Sequence, residues 1–316
     1  MLRSLVGSEM CIRDSPRVPH ELSSNRKKLS PPNGKPLIVH TVMNIEYWPF
    51  DKNMPRGILP PPHGKSPEPP DLPNYSWVEY GMRVGLPRLF KLFAENNIPV
   101  SAFINAQVAD IYPKAFDEVC KLNWELVGHG WFQESLRVAK DEEYVIKKSL
   151  DLLRKLSGQP VRSWFGPAGG ETEQTPELLK GNGIEFLHDW LIDELPCWMR
   201  TKLGPIVAMP YTFELNDVPI WTVQNNSCDE MKKRVDATLN IFDEEKLYNT
   251  KIITLALHPH IVGVPQNFYY LKKIIEDLKK RDDVIFMTSS QIGDWFVKED
   301  GTNGENLKPF LEQPPD

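Results

Sequence analysis

The chain has 316 residues, with 37 Lys and Arg against 43 Asp and Glu, a net charge of −6 and a hydrophobic content of 41%. These are globular values, and mild acidity without a basic block excludes a nucleic-acid track. No apolar run reaches the roughly 18 residues of a membrane span, and Cys11, Cys120, Cys197 and Cys228 lack the short spacing of a zinc knuckle.

Met1–Ser15 is interrupted by Glu9, Arg13 and Asp14, so it does not pattern as a signal peptide. It resembles a translated library adapter and is expected to be an artefact. Pro16–Pro36 is polar, basic and proline-bearing, so residues 1–36 are expected to be artefact plus disordered arm. Pro36–Asn44 is a short apolar run, patterned as a buried strand. Glu46–Ser76 follows, with eight prolines from Pro55 to Pro73, and no helix or central strand is expected there. A loop this long is expected to be a wall or lid over a pocket, or an oligomer contact. Helical spacing at Leu86, Leu89, Phe90 and Phe93 leads to a strand at Ile98–Asn105.

The alternation then repeats. Helix is predicted at Pro113–Leu122, after Asp141 with an apolar stripe of Val145, Leu152, Leu153 and Leu156, at Thr175–Gly181, Asp229–Leu247 and Phe268–Lys280, and from a Ser289 cap to Trp295. Strands are predicted at Trp124–Gly130, Val161–Gly166, Ile184–Trp190, Pro205–Tyr211, Lys251–His258 and Asp283–Thr288. Strands alternating with helices imply a parallel sheet, and the number of units favours an α/β fold of distorted (β/α)7-8 barrel type, in one domain over 37–298 with a tail at 299–316. An open doubly wound sheet is the alternative, although no Gly-x-Gly-x-x-Gly or P-loop follows the first strand.

Barrels gather their chemistry where strands end. Here those ends carry Asn44 and Glu46, His129 with Trp131, His188 to Trp190, and His258 with His260. Carboxylate plus histidine supports metal-assisted hydrolysis, or metal-free hydrolysis in which Glu46 activates water and His258 protonates a leaving nitrogen. No Gly-x-Ser-x-Gly is present for a serine nucleophile.

The strings MNIEYW (43–48), GHGW (128–131), WFGPAGGETEQTPELL (164–179), HDWLIDELPCW (188–198), PYTFELND (210–217) and LALHPHIVG (255–263) occur in an order that resembles the polysaccharide deacetylase (NodB homology) superfamily. Within it, they are similar to the allantoinase and cyclic-imidase branch. The resemblance implies a hydrolase of carbon–nitrogen bonds other than peptide bonds, acting on a small or cyclic amide, allantoin-like, or an N-acyl compound. A zinc-dependent carbohydrate N-deacetylase and an inert carbohydrate-binding relative are the alternatives. The family's aspartate pair falls on Asn44 and Glu46, and its second metal histidine on Gln133, a poor zinc ligand.

The implied catalytic set is Glu46, His258, Asp189 and Asn44, with Asp189 orienting His258 or binding substrate. Trp131, Gln133, Glu171, Trp190, Glu214, Asn216, Asp217 and His260 are candidates for substrate binding, and Trp48, Trp164 and Trp198 could extend an aromatic cluster. Glu46 and His129 would hold a divalent metal, Zn, if one is used; no cofactor is the other expectation. A small-molecule amide or carbohydrate partner, homo-oligomerisation and a cytoplasmic location complete the expectations, with no nucleic acid or membrane.

Overall fold

β1 (Leu37–Ile45) is the strand around which the others assemble. The computed structural model describes residues 17–58, 68–305 and 307, so the suspected artefact, the proline stretch 59–67 and most of the tail lie outside the described residues. The further strands are β2 (Ser101–Ile104), β3 (Glu125–Gly128), β4 (Ser163–Trp164), β5 (Phe186–Leu187), β6 (Cys197–Met199), β7 (Ile206–Ala208), β8 (Lys251–Leu257) and β9 (Val284–Phe286). Their order is β6-β7-β5-β4-β3-β2-β1-β8, with β9 also on β1. Every pairing is parallel except β6 with β7. β8 runs along Leu37–Met43, while β9 takes Leu37–Val39 and β2 takes Val42–Ile45. After β7 the chain bends against β8 through a parallel bridge from Asn216 to Ala256 and a bond from Thr254 N to Thr212 Oγ1 at 3.0 Å. The sheet is therefore a distorted barrel, as the strand–helix alternation implied.

Register converts the two-residue period of the strands into layers. Asn44 lies opposite Phe103, Phe103 opposite Val127, and Val42 opposite Ala256. Continuing each strand by one or two residues puts Glu46, Asn105, His129 and His258 in the top interior layer. The alternate residues Val39, Met43, Ile45 and Leu257 join the outer core beneath the helices.

The helices are α1 (Leu72–Tyr80), α2 (Leu86–Asn96), α3 (Val108–Ile111), α4 (Pro113–Lys121), α5 (Glu142–Ser157), α6 (Thr175–Gly181), α7 (Glu230–Glu245), α8 (Pro265–Lys279) and α9 (Ser289–Asp300). α1 begins inside the segment expected to be irregular. Pro73 occupies its first turn, where no N–H is needed, and Asp71 caps it by accepting from Asn74 N at 3.3 Å. The buried face of α5 is Ile146, Leu150 and Leu153; Leu156, placed on the stripe by spacing, is 48% exposed. α9 is capped by Thr288 and Gln291 rather than Ser289, and runs on to Asp300.

A π-turn at Gly81–Gly85 joins α1 to α2. A Cβ on Gly85 would lie 2.1 Å from the Pro259 carbonyl oxygen, and one on Gly81 2.4 Å from His260 N. Glycine alone lets this helix rest on the backbone that carries His258 and His260. The segment expected as a disordered arm is, from Arg17 onward, tied to the body: Arg17 pairs with Glu177 at 2.8 Å, and Arg26 with Asp193 at 3.0 Å. A cavity of about 820 Å³ lies between this arm, Trp198 and the residues after α9, and none of the expected catalytic residues lines it. Among the described residues no helix is long and apolar enough to cross a membrane.

The start of α9 inserts polar groups into the barrel interior. His40 Nε2 meets Ser101 Oγ at 3.0 Å, His188 Nε2 meets Ser289 Oγ at 2.7 Å, and Ser289 Oγ donates to Ser163 Oγ at 2.8 Å. His188, whose strand-end position suggested a rim group, instead stacks on His40 at 5.4 Å inside the barrel. Burial lowers the pKa of His40 to about 3 and holds that of His188 well below the usual histidine range. The unfolded chain therefore binds protons first, and stability falls as pH drops below about 6.5. Thermal melts between pH 7.5 and 5.5 should show this loss, with His40 contributing about 1–2 kcal/mol at the lower pH. His258, with its raised pKa, works in the opposite sense over this range, so the comparison with His40→Gln isolates the pair: the variant should lose less stability than wild type, and equal losses would refute the neutral pair.

Candidate active site

Glu46 leaves the end of β1 into the mouth of the barrel and is 3% exposed. Its two oxygens are held differently. Oε2 accepts from the Trp48 indole N–H at 2.7 Å. Oε1 faces His258 Nε2 at 3.3 Å and His129 Nε2 at 3.7 Å. Burial alone would raise the carboxyl's pKa, but the His258 charge and both histidine contacts outweigh it and hold Glu46 well below its ordinary range.

His258 is fixed from behind by Asp217. Its Nδ1 donates to Asp217 Oδ1 at 2.6 Å, and its backbone N–H to Asp217 Oδ2 at 2.6 Å. Burial opposes the imidazolium, yet Asp217 and Glu46 favour it and lift the His258 pKa to about 9. Glu46, His258 and Asp217 thus form one line of charge-assisted bonds in a nearly water-free layer.

The corresponding expectation was that Asp189 would orient His258, and the structure contradicts it. Asp189 accepts the Gly166 N–H on both oxygens, at 2.9 Å each, and has Glu171 as its acidic neighbour. Burial pushes Glu171 up to about 7 and Asp189 above its usual range. Trp190 closes this second group by donating to Glu171 Oε2 at 2.9 Å.

The remaining expected residues divide between the site and its frame. Asn44 donates to the Leu257 carbonyl at 3.2 Å, tying β1 to β8 below Glu46. Asn216 donates to the Tyr211 hydroxyl at 3.0 Å and accepts from Val218 N at 2.8 Å, so it shapes the turn that brings in Asp217. Glu214 is exposed and contributes its backbone carbonyl to Arg234. Trp131 is half-buried beneath Lys148 Nζ, 3.6 Å from its ring. His260 is buried beside Trp48 and Trp77, at ring distances of 5.5 and 4.6 Å, and its Nε2 has no hydrogen-bond partner among the described residues. The five tryptophans do not form one cluster: Trp48 alone touches Glu46, and Trp198 donates to Asp300 at the end of α9.

The metal set implied by the resemblance can be tested on its donors. His129 Nδ1 lies 2.6 Å from the Phe165 carbonyl, so it carries the proton and Nε2 faces Glu46. Gln133 Oε1, in the third ligand position, accepts from Asn105 Nδ2 at 3.3 Å. The vacant part of the Glu46 carboxylate is taken by protonated His258. Glu46 and His129 remain as two donors, which do not fit the three firm protein ligands of a catalytic zinc. Among the described residues no group of three His, Cys, Asp or Glu is arranged to hold a metal.

Asp217, in the string PYTFELND, was expected with Glu171, Glu214 and Asn216 to hydrogen-bond an amide-rich ligand; both its oxygens instead hold His258, 41 residues away. Arg56 was not singled out from sequence. Arg56 lies in the loop after β1, with its guanidinium carbon 5.9 Å from the centre of the Trp48 ring. NMR titration of His258 should give a midpoint near 9. Asp217→Asn should lower it by about one unit or more, and an unchanged midpoint would refute the pairing.

Comparison with known proteins agrees with this frame. A family model described as polysaccharide deacetylase matches residues 74–187. The chain is 24% identical over 247 residues to a peptidoglycan deacetylase of Helicobacter pylori, covering 68% of this chain and 84% of that protein. Its fold is similar to that of a probable polysaccharide deacetylase from Pseudomonas aeruginosa (TM-score 0.79, 23% identity, 89% of this chain and 98% of the other). It is also similar to the PuuE allantoinase (TM-score 0.77, 23% identity, 89% and 97%). In its ordered motifs, its family match and its fold, this chain is similar to polysaccharide deacetylases.

Proposed function

We propose that this chain hydrolyses the carbon–nitrogen bond of small amides, with cyclic imides and ureides ahead of N-acetylated polymers, through Glu46 and His258. The observation that carries the proposal is the contact of Glu46 Oε1 with His258 Nε2 at 3.3 Å, backed by Asp217 at 2.6 Å. It supplies an ionised acceptor beside a protonated donor. Glu46 takes a proton from water as the water oxygen adds to the carbonyl carbon. His258 gives its Nε2 proton to the departing nitrogen as the C–N bond breaks. The proton on Glu46 then passes back to His258, and the pair is restored.

Near-closure of the site supports a small substrate: Glu46, His129, His258 and His260 are 3, 1, 4 and 3% exposed. A polymer chain needs an open groove. The fold likeness to an allantoinase supports a cyclic amide, while the peptidoglycan deacetylase relative supports N-acetyl sugars as the second substrate class. In either case the donor set argues that catalysis proceeds without a three-ligand zinc centre.

Purified protein assayed on allantoin, simple cyclic imides and N-acetylglucosamine oligomers, with and without chelator, should release product from a cyclic amide in both conditions. Hydrolysis of none of these would refute the proposal. Glu46→Gln should lower turnover by roughly 10²–10⁴-fold. The rate should also fall as pH rises through about 9, where His258 loses its proton. A rate that keeps rising beyond that point would assign the proton donor elsewhere.

A further inference from the structure

Hydrolysis of an amide places negative charge on the carbonyl oxygen when water adds, and the site must meet that charge. Several of the donors around Glu46 are already committed. Trp48 Nε1 and His258 are taken by Glu46, and the His258 backbone N–H by Asp217. Arg56 differs. Its guanidinium carbon lies over the Trp48 ring, 5.9 Å from the ring centre, and its Nη1 is buried with no partner among the described residues.

The site's carboxylates, Glu46 and Asp217, are engaged by other groups. Both oxygens of Glu46 face Trp48 or the histidines, and both oxygens of Asp217 are taken by His258. The positive charge of Arg56 is felt by Glu46, Asp217 and His260, which places it on the side of the pocket that holds them. A buried guanidinium N–H without an acceptor is costly, and a substrate oxygen would satisfy it.

We propose that Arg56 is a catalytic residue, whose Nη1 meets the carbonyl oxygen of the scissile amide and stabilises the oxyanion. The inference rests on the amide-hydrolase reading above. As water adds, the carbonyl π pair moves to the oxygen facing Arg56, and the water proton goes to Glu46. As the pair returns, the C–N bond breaks, and nitrogen takes the His258 proton. Arg56 transfers no proton in either step. It supplies at the oxygen the positive charge that a metal would otherwise supply, in a site whose donors do not fit one.

Steady-state kinetics on the cyclic amide that wild type hydrolyses fastest provide the test. Arg56→Gln should lower kcat by about 10²–10³-fold, with KM changed much less. Arg56→Lys should recover part of the loss. Added guanidinium chloride at millimolar concentration should raise the rate of Arg56→Ala but not of wild type. Melting temperatures near that of wild type separate these effects from misfolding. A variant whose kcat is intact while KM rises would make Arg56 a binding group and overturn the proposal. A variant with both constants unchanged would also overturn it. Wild type inert on every amide would overturn the hydrolase reading, and this proposal with it; an active wild type with an indifferent Arg56→Gln overturns this proposal alone.

Discussion

The bond between Asp217 and the His258 Nδ1 proton sets the chemistry of the whole mouth of the barrel. A buried histidine by itself loses its proton, as His40 and His188 do deeper inside. His258 is as buried as they are, but it has a carboxylate on each side. Two anions at hydrogen-bond range reverse the effect of desolvation and keep the ring protonated. The same positive charge then keeps Glu46 ionised, although its own burial works the other way. The donor and the acceptor thus define each other's protonation state.

The fold delivers these groups by register. β1 has β8 on one edge and β2 on the other, so the interior layer at its end receives Glu46, His258 and Asn105 together. His129 joins through β3. Asp217 reaches His258 because the chain after β7 bends across the open side of the barrel and pairs with β8 at Ala256. Closing the barrel and backing the histidine are accomplished by one segment. The glycines of the π-turn hold the next residues in place, since any side chain at Gly81 or Gly85 would displace the backbone of Pro259 and His260.

Much of this was legible in the sequence where the signal is local. Period and strand ends were enough to select Glu46, His129 and His258 and to place them at one rim. What the sequence hid were contacts between distant segments. Asp189 and Asp217 are both acids after strands, and nothing local shows which one reaches His258; only the bend after β7 decides it. Gln133 kept its place in the motif, but that its oxygen is engaged by Asn105 depends on β2. Proline density masked α1, because a proline in a first helical turn is permitted and Asp71 caps it. β6 is three residues, antiparallel and at the sheet's end, too short to show a period. Arg56 sits inside the same proline-bearing loop, where no pattern marks one cation over another.

The central claim is that Glu46, His258 and Asp217 act as one unit. A double-mutant cycle between Glu46→Gln and Asp217→Asn, read in kcat/KM for amide hydrolysis, tests it most directly. The account predicts strong non-additivity: the double variant should be roughly as slow as the slower single variant. Losses that multiply would show two independent groups and contradict the account.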